Sequence, residues 1–327
     1  MPAFVFDVPL DLVMPPALAR AILPFAKGPL KGLSAQRTFF IGNVAGEEGH
    51  IGLAERDLSD VAAFIHASAR AKASELRAPM LVWKDFPEGD RGALDALRAN
   101  GRVFRIPSYP GTSIPLVEGG YERFQAARNS KRRRRIATKL RRGEEALALR
   151  TEIIVSPTTE QLAGMFALFR QTEARATTRF EHLTPEFFRT IAECEESEFV
   201  VLRDAAGAMR AFMLLFNLGS RAVNQFIGLD YAAGEEAYLH FRLFVAAYDH
   251  ASRGGAATLC SGQTGYTAKL DLGHQLTPLW NYCEHANGLV NSIFRWGGAG
   301  ISWETLDPQL AEYVRAHPDI TTPSSPG

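Results

Sequence analysis

Apolar and polar positions follow two rhythms along this chain. Short apolar runs bounded by Gly, Lys or Pro-containing segments, Thr38 to Val44 (TFFIGNV) and Met80 to Trp83 (MLVW), predict buried strands. Between them Leu58, Val61, Phe64 and Ile65 recur at helical spacing, which predicts an amphipathic helix from Leu58 to Ala73 with Asp57 or Ser59 as its cap. A helix at Arg91 to Ala99 closes at Asn100 and Gly101, and a strand at Arg102 to Ile106 stops before Pro107.

Tyr121 to Gln125 opens another helical segment, which Asn129 and Ser130 interrupt or re-cap before a basic helix runs on to about Leu147, and after it the pattern restarts. A strand is expected at Leu149 to Val155, helices at Thr159 to Thr172 and Pro185 to Glu195, and a hairpin from Phe199 to Asp204 and Met209 to Asn217 across AAGA. A strand at Ala222 to Leu229, a long helix at Glu235 to Arg253 closed by Gly254 and Gly255, and a strand at Thr258 to Ser261 follow. A loop and a short helix around Trp280 to Ala286 come last. The order predicts mixed α/β sheets, and HPDITTPSSPG predicts a disordered tail.

Length and charge narrow the class. With 327 residues, 46% of them hydrophobic, the chain can form about two domains of ~100–200 residues. A formal net charge of zero argues against a protein that coats nucleic acid. Cys194, Cys260 and Cys283 stand in no disulfide or zinc spacing, so no metal is expected and a reducing cytoplasm fits. No run approaches the ~20 apolar residues of a membrane span.

Against that neutral background, NSKRRRRIATKLRR, Asn129 to Arg142, concentrates eight cationic side chains. A helix starting near Ser130 sets Lys131, Arg132, Arg133 and Arg135 by its first turn, where the macrodipole favours anions. Two readings stay open: a solvated basic face, or a helix start that receives a phosphate, a carboxylate or a nucleic-acid backbone. Ile136 and Leu140 would face the core.

Particular strings carry a family likeness. FQAARNSKRRRRIATKLRRGEEA resembles the basic helix between the halves of Fem-type peptidoglycan aminoacyltransferases and their GNAT relatives. LVWKDF (81–86), TTRFEHLTPEFF (177–188) and YTAKLDLG (266–273) are similar to a strand end, a substrate-side loop and a Tyr/Lys/Gly signature of the same group. The resemblance implies tandem GNAT-like domains joined by the basic helix: residues 1–120, a linking helix 121–148, a catalytic domain 149–318 and a tail 319–327. It also implies transfer of an acyl or aminoacyl group to an amine. One departure is that GLDYAAGEEAYLHF stands where GNAT proteins carry Q/RxxGxG/A, with Gly234 alone able to let backbone approach a phosphate.

Candidate chemistry follows, each with a plainer alternative. Tyr266, in GQTGYTAK, is a candidate acid for a leaving group or a loop anchor, and Lys269 a candidate anion ligand or a solvated cation. Asp230, ending FIGLD, is a candidate proton acceptor or a turn cap, and His274 follows Gly273 in a loop. Lys131, Arg132, Arg133, Arg135 and Gly234 are candidate donor-binding residues. Lys84, Asp85, Glu173, Arg179 and Glu181 are candidates for a zwitterionic acceptor, or form ion pairs. Trp280, Tyr282 and Trp296 either line an acyl pocket or belong to the core. The leading expectation is transfer from an acyl-CoA-type thioester to a primary amine of a small, amino-acid-like acceptor, with no permanently bound cofactor. An aminoacyl-tRNA donor and a non-catalytic GNAT-like binding protein are the alternatives.

Overall fold

A computed structural model describes residues 1–9, 35–44, 46–53, 57–175, 183–319 and 322–323. The chain divides into two units, Met1–Gly111 with Thr277–Gly327, and Thr112–Leu276. The expected boundaries at 120 and 318 therefore shift. Residues from 277 onward rejoin the first unit, because a late strand pairs with two early ones.

In the first unit, β1 (Ala3–Pro9), β2 (Ala35–Ile41), α1 (Leu58–Glu75), β3 (Met80–Pro87), α2 (Arg91–Asp95) and β4 (Phe104–Pro107) come first. After the second unit, β12 (Leu279–His285) inserts antiparallel between β3 and β4, giving the order β1-β2-β3-β12-β4. The helix expected around Trp280 to Ala286 is thus a strand. Its role depends on pairing with segments nearly two hundred residues away, which no local pattern encodes.

Each face of this sheet carries a buried apolar cluster. Side chains alternate along β3, so Leu81 and Trp83 join one core with Trp280 and Tyr282, while Met80 and Val82 join another with Phe104, Cys283 and Phe294. α1 buries Leu58, Ala62, His66, Ala69 and Ala73, and Phe64, expected on its apolar face, is exposed. The small alanines form the packed stripe instead.

The second unit contains β5 (Gly111–Pro115), α3 (Gly120–Ala126), α4 (Ser130–Ala146), β6 (Arg150–Ile154), α5 (Thr159–Arg175), α6 (Pro185–Ile191), β7 (Ser197–Arg203), β8 (Met209–Asn217) and β9 (Arg221–Leu229). α7 (Leu239–Arg253), β10 (Thr258–Cys260), α8 (Tyr266–Leu272) and β11 (Gln275–Thr277) complete it. The seven-stranded order is β11-β5-β10-β9-β8-β7-β6.

α4 belongs to this unit and is not a link outside it. Asn129 caps it, accepting from the Lys131 N–H at 2.9 Å, and Ile136 is buried with Leu140 packed on the same core. Gly143 fixes a close approach: a Cβ there would sit 2.7 Å from the Ala237 carbonyl oxygen. After β12, α9 (Gly288–Gly298), α10 (Trp303–Leu306) and α11 (Pro308–Ala316) lie in the first unit.

Candidate active site

The site begins with two parallel strands that part. β9 and β10 pair over three positions only, Arg221 with Thr258, Ala222 with Leu259 and Val223 with Cys260. Immediately beyond, Gln225 and Phe226 of β9 face the single residue Leu214 of β8. A bulge of this kind bends its strand and raises its twist, which turns β9 away as β10 ends.

Polar side chains meet where the strands separate. The Asn224 amide donates to Ser261 Oγ at 2.9 Å, and Ser261 Oγ lies 2.7 Å from His274 Nε2. His274 Nδ1 lies 3.0 Å from the Lys269 carbonyl, so that nitrogen carries the hydrogen and Nε2 accepts from the serine. The Lys269 ammonium donates to the carbonyls of Ser261, Gly262 (3.2 Å) and Gln263 (3.0 Å), pinning the loop after β10. All four side chains are buried.

Burial sets the protonation of the imidazoles. Removal from water, with the Lys269 charge adding to it, pushes His274 down to about 3. The same two causes in the same order push His240 down to about 4. His240 and His274 both make edge-type ring contacts with Phe244, at 4.7 and 5.4 Å between ring centroids. At neutral pH this pocket offers hydrogen bonds from uncharged rings, not imidazolium.

The other expected residues fall in several environments. Tyr266 is fully buried as the first residue of α8, where an exposed loop phenol was expected. Gly265, left-handed at φ 60°, lets the chain turn abruptly into that helix. Asp230 is spoken for: one oxygen accepts from Arg210 at 2.6 Å, the other from the Ala232 N–H at 3.0 Å. Glu173 is buried and paired with Arg170. Arg179 and Glu181 lie outside the described residues.

Lys84 and Asp85 belong to the first unit and pair with each other. Asp85 is buried at φ 62°, left-handed for a non-glycine residue, and is held there by its N–H donating to Asn281 Oδ1 at 2.8 Å and by the Ser108 hydroxyl. Trp280 and Tyr282 are core, whereas Trp296 is exposed.

The cations of α4 divide by what they touch. Arg135 pairs with Asp271 on α8, and Lys139 reaches the same carboxylate at 3.2 Å while lying 4.1 Å from the Phe241 ring centre. Arg133 donates to the Ala126 carbonyl at 3.1 Å. Lys131, Arg134 and Arg142 are exposed, and Arg132 is half-buried. Gly234, at φ 81°, separates two short 3-10 turns, Tyr231–Ala233 and Glu235–Ala237, that precede α7. Lys139 of α4 thus lies beside the first turn of α7, where Arg242 pairs with Glu144 of α4 and the backbone N–H groups favour an anion.

Residues 130–269, which hold this split and all of its network but His274, match the family described as an acetyltransferase (GNAT) domain. This stretch is a GNAT acyltransferase domain. The GNAT domain lies wholly inside the second unit. No curated protein matches the chain. Solved structures of similar fold include the C-terminal domain of a protein described as a lysylphosphatidylglycerol synthetase from Agrobacterium fabrum, at 14% identity, TM-score 0.55 and 80% of each chain covered. FemX is similar at 11% identity and TM-score 0.55, over 80% of this chain and 83% of that one. L-PGS from Bacillus licheniformis is similar at 11% and 0.52, over 73% of this chain and 79% of that one. At such identities the likeness is one of fold.

Sequence reasoning missed Asn224, Ser261 and Lys139. Ser261 was visible only as a serine at a strand end without a nucleophile-elbow motif. Asn224 carried one overlooked signal: with Gln225 it forms a pair of amides in the otherwise apolar strand AVNQFIGL.

Proposed function

We propose that this acyltransferase moves an acyl group from a CoA-type thioester to a primary amine of a small, amino-acid-like acceptor, in the reducing cytoplasm. The observation that carries the reading is the parting of β9 and β10 with Asn224, Ser261 and His274 at the fork. An extended, amide-bearing donor arm fits beside β9 there, and its phosphates fit the start of α7 with Lys139 and Arg242 alongside.

In the reaction the acceptor nitrogen bonds to the thioester carbonyl carbon and the C–S bond breaks. The nitrogen gives up a proton and the departing thiolate takes one. Asn224 spends one amide hydrogen on Ser261 and has a second for the carbonyl oxygen as negative charge builds on it. Neutral His274 holds the Ser261 hydroxyl in one orientation, and Lys269 holds the loop that carries it. The three cysteines are free, in keeping with a reducing compartment.

A donor carried on RNA is the second reading, favoured by the exposed Lys131, Arg134 and Arg142 on one helix. Thermal unfolding with saturating acyl-CoA tests the first: ligand at ~100 times its dissociation constant adds ~2.7 kcal/mol of stability. Salt separates the two, because a polyanion-tracking site loses affinity steeply and linearly in log salt whereas one phosphate group loses little. No stabilisation by acyl-CoA, with steep salt-dependent binding of charged tRNA, selects the second reading.

A further inference from the structure

α9 of the first unit has two apolar faces. Val290, Phe294 and Gly298 turn toward the sheet, where Phe294 is buried and a Cβ on Gly298 would meet the Ile106 side chain at 2.7 Å. On the other side Leu289, Ile293 and Trp296 follow each other at spacings of four and three, which places them in one narrow stripe. They are 75%, 41% and 73% exposed. An ordinary surface helix is polar on the side away from its core, so this stripe needs a nonaqueous neighbour.

Positive charge borders the stripe. Arg295, on the same helix, donates to the carbonyls of Gly101 and Arg102. The Arg102 guanidinium in turn donates to the His285 and Ala286 carbonyls at 3.3 and 3.2 Å, just ahead of the first turn of α9. Arg70 and Arg102 both lean on the single carboxylate of Glu284. Two guanidinium groups therefore share one carboxylate beside this helix.

We infer that α9 seats this protein on an anionic lipid surface, with Leu289, Ile293 and Trp296 entering the acyl boundary and Arg102 and Arg295 at the headgroups. An exposed tryptophan beside aliphatic residues, rimmed by arginines, suits the wet and apolar sides of that boundary together. Area argues against a second copy of the chain. Even at roughly 200 Å² apiece the three side chains offer no more than roughly 600 Å², short of the ~800 Å² per partner of a stable interface. No helix among the described residues is long and apolar enough to cross a membrane, so the contact proposed is peripheral.

Vesicle co-sedimentation of the full chain tests this, using phosphatidylcholine alone and an equal mixture of phosphatidylcholine and phosphatidylglycerol. The wild-type chain is expected to sediment with the mixed vesicles and to leave them with rising salt. A variant carrying Leu289→Ser, Ile293→Ser and Trp296→Ser, its thermal unfolding unchanged, is expected to bind about tenfold more weakly or worse. A tryptophan emission shift on adding mixed vesicles, absent in Trp296→Phe, reads the same insertion without relying on the triple variant. Equal binding by wild type and variant, equal binding to both vesicles, or no binding overturns the proposal. A fall from dimer to monomer in the variant by sedimentation velocity also overturns it, in favour of a protein partner.

Discussion

The Ser261 hydroxyl and the His274 imidazole meet at 2.7 Å, buried at the point where β9 and β10 part. A serine beside a histidine suggests a nucleophile, and the electrostatics rule otherwise. With the imidazole held down to about 3, merely protonating it at pH 7 costs on the order of 5 kcal/mol, and taking that proton from a hydroxyl costs more still. The hydroxyl is a positioned hydrogen-bonding group, fixed by Asn224 on one side and His274 on the other.

Ser261→Ala removes the bridge and leaves a buried amide hydrogen and a buried ring nitrogen without it. A loss of about 1–3 kcal/mol of stability is expected, measured as a lower urea midpoint at unchanged slope. An unchanged midpoint means the three groups do not form one network in solution.

Acid is expected to unfold the second unit early. His240 and His274 titrate in the folded protein at about 4 and about 3, below the usual value near 6.5. The unfolded chain thus binds more protons between those values. Stability is full above about pH 6.5, falls as pH drops through that window, and levels off only below the folded values. Near pH 5 the slope approaches ~1.4 kcal/mol per pH unit for each ring, and His274→Gln with His240→Gln flattens it. A stability that is flat from pH 7 to pH 5 contradicts neutral burial of both.

Gly143→Ala decides between two opposed effects. In an exposed helix interior the change stabilises by ~1 kcal/mol. Here the new Cβ meets the Ala237 carbonyl at 2.7 Å, and backbone cannot step aside as a flexible side chain does. A net destabilisation of about 1–3 kcal/mol is expected, seen as a lower thermal midpoint. A gain in stability shows that α4 does not press on the turn before α7.

The α4 cations are expected to separate by role. Asp271→Asn releases Arg135 and Lys139 and lowers stability by about 1 kcal/mol. Lys131→Glu with Arg134→Glu, at exposed positions, changes stability by less than about 0.5 kcal/mol while weakening a donor carried on RNA and leaving acyl-CoA binding largely unchanged. Paired denaturation and donor titration of the two variants show it. Equal loss of folding and binding in both makes the run a structural face.

Local patterns exposed most of the second unit and less of the first. The hairpin β7–β8, the strand β9 and the helix α5 obey period and turn chemistry within their own residues, so their expected spans lie within a few residues of those observed. Glu235 to Ala237 was expected as helix but forms a 3-10 turn, because Tyr238 takes a left-handed conformation before α7 starts at Leu239. β12 and the buried setting of Tyr266 escaped notice for one reason: both follow from distant partners. The fork was equally hidden, since Asn224 and Ser261 come together only when two strands lie parallel across an intervening helix.

Hydrogen–deuterium exchange with and without saturating acyl-CoA tests the donor site most directly. Slower exchange is expected at residues 223–228, at 260–265 beside them, and in the first turn of α7 near Leu239. Protection confined to other segments, or none at all, contradicts a donor seated between β9 and β10.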